Sequence, residues 1–153
     1  MFDSIDIKVL ECLMQQGRMT WSELAGKLGL SSPAAADRVR RLEEKGAIVG
    51  YSARINPDAV GCSLMAFVAV TLEHPQYRDL FLEKVQELAE IQECHHMTGD
   101  DDYFLKIRCR GTADLERLIS EELKGVPGVL KTRTSIVLSS PKETGDLPLP
   151  RET

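Results

Sequence analysis

The sequence predicts an α+β protein in which a small helical unit precedes a unit of alternating strands and helices. Apolar residues recur at helical spacing through the first 45 residues. After about residue 60 the pattern changes to apolar runs of strand length separated by helical segments, in the order β-α-β-β-α-β. A chain of 153 residues is long enough for two small domains.

The composition is that of an ordinary globular protein, with 42% hydrophobic and 28% charged residues. No apolar run reaches the roughly 18 residues that would cross a bilayer, and the N-terminus has no signal-peptide pattern. These features predict a cytoplasmic protein with no membrane partner. The four cysteines are far apart, so we expect free thiols: Cys12, Cys62, Cys94 and Cys109.

Three helices are predicted in the first unit. The first begins at Asp3 or Ser4 and runs to about Gln16, and the second starts after Thr20, which forms a capping box with Glu23. Gly29 ends the second helix as a left-handed stop. The expected core is apolar: Ile5, Val9, Leu13, Leu24, Leu28, Val39 and Leu42.

The third helix has a start of small residues and a cationic flank. Ser31 or Ser32 caps it, Pro33 lies in its first turn and Gly46 ends it. Three cations fall beside its apolar face, namely Arg38, Arg41 and Lys45. This is the anatomy of a helix-turn-helix, whose second helix enters a DNA major groove.

Two other interpretations of this helix remain open. A cationic flank can be a merely solvated surface. The chain could also be a small-molecule-sensing or scaffold module whose N-terminal helices bind a protein partner, but such a helix needs exposed apolar anchors that this one lacks. The net charge of −5 lies wholly outside residues 1–60, where eight basic and eight acidic residues balance, so it does not oppose DNA binding.

The segment between the two units predicts a strand or hinge. Residues 48–55 are β-prone, and a turn signal follows at residues 56–58. Trp21, in the first turn of the second helix, is expected to cover the small core rather than to contact a phosphate. The predicted division is residues 1–60 for the helix-turn-helix with its linker, 61–140 for the second domain, and 141–153 for a polar, mobile tail.

The second domain is predicted to be a ferredoxin-like βαββαβ sandwich with both helices on one face of an antiparallel sheet. Its first strand is apolar on both faces, so the face without helices should be covered by a second copy of the chain. The predicted strands are residues 63–73, 91–98, 103–110 and 129–138, the helices residues 75–90 and 114–123, and the hairpin turn residues 99–102. In the first of these helices, Leu80 and Phe81 are expected to point inward.

Several short segments carry a family pattern by their order and spacing. They are LGLS at 28–31, RVRRLE at 38–43, GAI at 46–48, GY at 50–51, Cys94, TGD at 98–100, DY at 102–103, PGV at 127–129 and TRT at 132–134. Over residues 5–142 the chain resembles the Lrp/AsnC family of bacterial and archaeal feast/famine transcriptional regulators.

This resemblance implies a winged helix-turn-helix and an effector-sensing domain in dimers that assemble further into tetramers or octamers. The expected partner is double-stranded DNA, at A/T-rich pseudo-palindromic sites. By the resemblance, the residues nearest the groove are Ser31, Ser32, Pro33, Ala34 and Arg38, with Arg41 and Lys45 on phosphates.

The resemblance also implies a small effector, commonly an amino acid, bound between subunits near one turn. That turn is Gly99, Asp100, Asp101, Asp102 and Tyr103. A carboxylate there can pair with an ammonium group, and the hydroxyl of Thr132 or Thr134 can help hold the effector's carboxylate. Three successive carboxylates exceed the usual family pattern, and they could instead only shape the turn.

Other chemistry fits the sequence poorly. Neighbouring residues of Cys94-His95-His96 point to opposite faces of a strand, and no second pair of metal ligands stands nearby. There is no Gly-x-Ser-x-Gly elbow and no phosphate-binding glycine loop. We therefore expect no enzyme activity, no metal site and no cofactor.

Overall fold

The computed structural model describes residues 2–150, which form two compact units. One comprises residues 2–54 with 143–150, and the other residues 55–142. The division falls six residues before the boundary expected from the sequence and puts the short 3₁₀ turn Asp58–Val60 in the second unit. The mobility of the tail stays a prediction, and its residues 151–153 lie outside the described range. None of the described helices is both long and apolar enough to cross a membrane.

The first unit contains the three predicted helices, α1 (Ser4–Gln15), α2 (Trp21–Leu28) and α3 (Ser32–Glu44). Each begins after a residue whose side chain accepts a backbone N–H bond, namely Asp3, Thr20 and Ser31. The caps of α1 and α2 are full capping boxes. Local sequence therefore sets where each helix starts.

The core of the first unit lies where the three helices meet. Val9, Leu24, Val39 and Leu42 are fully buried, as predicted. The other three predicted core residues only pack against this cluster as partly buried neighbours: Ile5, Leu13 and Leu28. Trp21 does not cover the core, because its side chain is 48% exposed and lines a surface pocket of about 320 Å³.

The strand considered for residues 48–55 is not formed. Gly46 ends α3 with φ +69°, and the N–H groups of Ala47 and Ile48 turn back to the carbonyl of Leu42. The chain then runs without regular structure to residue 57. A strand needs a hydrogen-bonding neighbour, and none lies beside these residues in the described chain, so their β propensity alone does not build one.

The second unit has the predicted ferredoxin-like topology. Its four strands form one antiparallel sheet in the order β2-β3-β1-β4. The elements are β1 (Leu64–Leu72), a 3₁₀ turn (Pro75–Tyr77) leading into α4 (Arg78–Glu87), β2 (Ile91–His96), β3 (Tyr103–Cys109), α5 (Thr112–Arg117) continued by a π-helical segment (Leu118–Leu123), and β4 (Val129–Ile136).

The core of the second unit lies between one sheet face and the helices. Val68 and Leu105 from the sheet meet Phe81 of α4 and Leu118 of the π-helical segment, and all four are fully buried. The expectation that Leu80 points inward is wrong, because it is 49% exposed. The inward stripe of α4 extends to the other side of Phe81, where Leu82 packs on the core. The four cysteines are free, and only Cys109 is fully buried.

The opposite face of the sheet carries no helix of its own unit. Phe67 and Phe104 stack across it with ring centroids 5.4 Å apart. Because side chains alternate along a strand, Met65 and Ala69 share this face with Phe67. The first strand is therefore apolar on both sides, as the sequence predicts.

Candidate DNA-reading helix and effector turn

The start of α3 presents small side chains and backbone donors. The Ser31 hydroxyl accepts a hydrogen bond from the N–H of Ala34 at 3.3 Å, and Pro33 occupies the first turn. Ser31 and Pro33 are exposed, while Ser32 and Ala34 are partly buried. Small residues at a helix N-terminus permit close approach to a base edge or a phosphate.

The exposed flank of α3 is cationic but already partly paired. Arg41 Nη2 lies 2.9 Å from Asp37 Oδ2, and Arg40 bridges Asp37 and Glu44. Lys45 Nζ lies 5.9 Å from the centre of the Phe2 ring. These contacts are exposed and therefore weak, so a phosphate can replace the carboxylates at little cost.

Arg38 is placed differently from the other predicted DNA contacts. Its Nη1 lies 2.5 Å from Asp3 Oδ2 and 3.0 Å from Asp6 Oδ1, at the start of α1. The two carboxylates raise the pKa of the Arg38 guanidinium, the bond to Asp3 contributing most. These two partners are 35 and 32 residues away along the chain, so no local sequence pattern indicates them.

Two of the three carboxylates of the predicted effector turn are used within the fold. Asp102 Oδ2 accepts the N–H of Leu72 at 2.7 Å. Asp101 accepts from the Thr71 hydroxyl at 3.0 Å and from Arg133 Nη2 at 2.6 Å. Both therefore tie the hairpin to the neighbouring strands.

Asp100 and Gly99 form the exposed tip of the turn. Gly99 has φ +119°, a conformation that favours glycine, and its position lets the chain reverse between β2 and β3. Within residues 2–150, no hydrogen bond or ion pair is made by the Asp100 side chain. Of the three successive carboxylates, that of Asp100 alone has no partner within residues 2–150.

Tyr103 carries a buried hydroxyl that is not hydrogen-bonded. The residue is 3% exposed, and its ring packs against Phe81 and His96 with centroid distances of 4.9 and 5.1 Å. No partner for its Oη is present in the described part of the chain. An unsatisfied buried hydroxyl is destabilising by about 1–3 kcal/mol, so this oxygen is a candidate for ligand contact.

Thr132 and Thr134 lie on the helix-covered face of the sheet. Val70 of β1 is paired with both Tyr103 and Thr132, so these two residues stand in one row, two strand spacings or about 10 Å apart. Arg133 points to the other face, where it meets Asp101. The threonine hydroxyls and the Asp101 carboxylate therefore do not converge.

The side chains of Cys94, His95 and His96 each contact other residues of the second unit. Cys94 packs against the core, where burial raises the pKa of its thiol. His95 Nε2 lies 3.0 Å from Glu93 Oε2, and His96 stacks on Tyr103. These three side chains serve separate contacts.

Comparison with known proteins decides between the interpretations of the first helices. A model of the Lrp/AsnC ligand-binding domain matches residues 65–147, more than half of the chain. The chain belongs to the Lrp/AsnC family of transcriptional regulators. A model of winged helix-turn-helix DNA-binding domains matches residues 2–49, so the first unit is a DNA-binding domain. Lrp/AsnC regulators form oligomers and bind amino-acid effectors.

Lrp/AsnC relatives align with nearly the whole chain. The leucine-responsive regulatory protein of Haemophilus influenzae is 40% identical over 149 residues, which cover 96% of this chain and 90% of that protein. Its counterpart in Escherichia coli is 42% identical over 147 residues, with 95% and 90% covered.

Solved Lrp/AsnC structures agree with the fold. A transcriptional regulator from Neisseria meningitidis in complex with L-methionine superposes with a TM-score of 0.93 at 30% identity, covering 97% of both chains. A feast or famine regulatory protein from M. tuberculosis complexed with L-methionine gives a TM-score of 0.86 at 38% identity, covering 95% of this chain and 97% of that one.

Proposed function

We propose that this chain regulates transcription by binding specific DNA sites in an oligomer whose geometry is set by an apolar amino acid. The observation that carries this proposal is the presence, in one chain, of a winged helix-turn-helix and an Lrp/AsnC ligand-binding domain. We place the protein in the cytoplasm, where it has access to the chromosome, and assign it no catalytic step.

The reading surface is assigned to the start and flank of α3. Residues 31–34 approach the bases, because their small side chains allow the start of α3 to enter the major groove. Arg41 and Lys45 contact phosphates, because both are exposed and their present partners are weak. Two such helices in a symmetric dimer would read the two halves of a pseudo-palindrome.

A double substitution tests the phosphate contacts. Changing Arg41 and Lys45 together to alanine should weaken binding to every duplex alike and reduce the slope of log K against log salt by about 2 for each bound subunit, hence by about 4 for a dimer. The slope is measured by titrating labelled duplex at several salt concentrations. Lys8→Ala, an exposed charge on α1, is the matched control. An unchanged slope, or a loss confined to one preferred sequence, would contradict the assignment.

The effector is assigned to the turn between β2 and β3. Two of the solved relatives hold L-methionine, and other relatives are named for their response to leucine. Asp100 is exposed and unpaired within residues 2–150, so we assign it to the ammonium group of such an amino acid. The remaining contacts are assigned to the main chain at Gly99, the Tyr103 hydroxyl, and Thr132 or Thr134.

The subunit contact is assigned to the open face of the sheet. The stacked Phe67 and Phe104 form its apolar centre, and charged pairs such as Arg133–Asp101 and Lys106–Glu93 flank it. A second copy with the same face would cover both centres. An effector bound between subunits at the end of the sheet, beside residues 99–103, can then favour one assembly over another and so alter the spacing of the reading helices.

A panel of the twenty amino acids tests the effector assignment through thermal stability. A ligand present at 100 times its dissociation constant should stabilise the protein by about 2.7 kcal/mol, which raises the melting temperature measurably. Methionine or leucine is expected to give the largest rise. Asp100→Asn should remove that rise while leaving DNA binding in the absence of effector unchanged.

The matched control is Asp101→Asn, whose carboxylate is held by Thr71 and Arg133 rather than facing solvent. It should retain a selective response to the same amino acid. A response fully retained in Asp100→Asn would remove this residue from the site. A panel without any rise would contradict an amino-acid effector.

A further inference from the structure

We propose that Arg38 is a positioning residue, which sets the orientation of α3 through Asp3 and Asp6 of α1 instead of contacting a base. This inference rests on the DNA-reading role assigned to α3. The sequence predicts Arg38 at the groove, but in the structure its charge is paired with two carboxylates of the first unit.

The contact is built from both carboxylates of one capping box. Asp3 Oδ1 accepts the N–H of Asp6 at 2.8 Å, and Asp6 Oδ2 accepts the N–H of Asp3 at 3.2 Å. Each carboxylate then has its second oxygen directed to Arg38 Nη1. The arginine therefore binds two groups whose positions are already fixed by the start of a helix.

The local charge opposes a role at the base edges. Two carboxylates surround one guanidinium, so the cluster carries a net negative charge. The hydrogen bond from the N–H of Asp6, followed by that from Arg38, holds the pKa of Asp3 below its ordinary value, which keeps this carboxylate ionised. Asp6 is 7% exposed, so releasing Arg38 to DNA would leave a buried carboxylate without its cation.

The place of Arg38 on α3 explains how it can set orientation. It directly precedes Val39, which is fully buried, and it lies one turn after Ala34 at the reading end. The inward residues on either side of Arg38, Ala35 and Val39, are small or short, and the one large inward side chain of α3, Leu42, lies farther from the reading end. A charged link at the edge of the core fixes which side of residues 31–34 faces outward.

The two roles of Arg38 predict opposite effects of removing its partners. The probe is a duplex selected by the full-length wild-type protein from a random pool, compared with a scrambled duplex of equal length. For a positioning residue, Asp3→Asn/Asp6→Asn should lower affinity for the selected duplex by about ten- to a hundredfold, as Arg38→Ala should. For a base contact, the same double variant would free Arg38 and leave binding unchanged or stronger, which would overturn the proposal.

The ratio of the affinities for the selected and the scrambled duplex distinguishes a positioning role of Arg38 from a general loss of folded protein. A smaller folded fraction lowers binding to both duplexes equally, whereas a rotated helix changes the ratio of the two affinities. Adding Asp6→Asn to Arg38→Ala should cause little further loss, because the link is already broken. The exchanged pair Arg38→Asp/Asp6→Arg should recover part of the ratio. An unchanged ratio in both Arg38→Ala and Asp6→Asn would also overturn the proposal.

Two controls complete the experiment. Circular dichroism and the fluorescence of Trp21, the only tryptophan, report whether each variant retains the folded first unit. If Arg38→Ala is unfolded, Asp3→Asn alone supplies the measurement, since Asp3 is the more exposed partner and Asp6 remains. If the wild-type protein selects no duplex at all, the DNA-reading function fails instead.

Discussion

Replacing Gly128 by alanine is expected to lower the free energy of unfolding of the second unit by about 3 kcal/mol or more. Gly128 has φ +85°, which disfavours any side chain, and an added Cβ would come within 2.1 Å of the Tyr77 ring. The backbone at residue 128 and the ring of Tyr77 cannot both keep their positions in such a variant. Urea unfolding followed by circular dichroism measures the loss, while Trp21 fluorescence reports the first unit separately.

Two matched variants divide this effect into its causes. Gly61 has φ +74° but no atom near its missing Cβ, so Gly61→Ala should show only the conformational part, about 1–2 kcal/mol. Adding Tyr77→Ala to Gly128→Ala should recover part of the stability that the clash removes. If Gly61→Ala were as damaging as Gly128→Ala, contact with Tyr77 would not be the cause.

Replacing Phe81 by alanine should destabilise the second unit by about 3–5 kcal/mol, the range for a fully buried aromatic ring. Phe81 is 0% exposed and supports the Tyr103 ring at a centroid distance of 4.9 Å. The cavity would loosen Tyr103 beside the effector turn, so any stabilisation by amino acids should shrink as well. Chemical unfolding and the amino-acid panel measure the two effects.

The neighbouring residue offers a strict control for this variant. Leu80 on the same helix is 49% exposed, so Leu80→Ala should change stability by no more than about 0.5 kcal/mol. Phe81→Leu, which keeps most of the apolar volume, should lie between the two. Equal losses in Leu80→Ala and Phe81→Ala would mean that Phe81 does not anchor the core.

Features of the fold that depend on neighbouring residues were predictable from the sequence. The capping box of Thr20 and Glu23 acts within three residues, and the structure has it; of the two serines predicted as alternative caps of α3, Ser31 is the cap and Ser32 is the first helical residue. The strand order also followed, because the element order β-α-β-β-α-β leaves few ways to pair four strands. The side of α4 that faces the core was harder to predict. Leu80 and Leu82 stand on either side of Phe81 in the sequence, and packing decides which of the two is buried.

Features that depend on distant contacts were not predictable. Nothing near Arg38 indicates that its charge is taken up by Asp3 and Asp6, and nothing near Asp101 indicates Arg133. The sequence also does not indicate the π-helical segment at Leu118–Leu123. Just after this segment, the carbonyl oxygen of Glu121 lies 2.2 Å from where a Cβ on Gly125 would be, so a glycine is needed there.

The hydrophobic residues of the two units form separate cores that have no member in common. One is built around Val9, Leu24 and Val39, and the other around Val68, Phe81 and Leu105. Mutations that reshape one core therefore need no compensating change in the other. In such a modular chain, evolution can retune the metabolite that is sensed while the operator that is read stays the same.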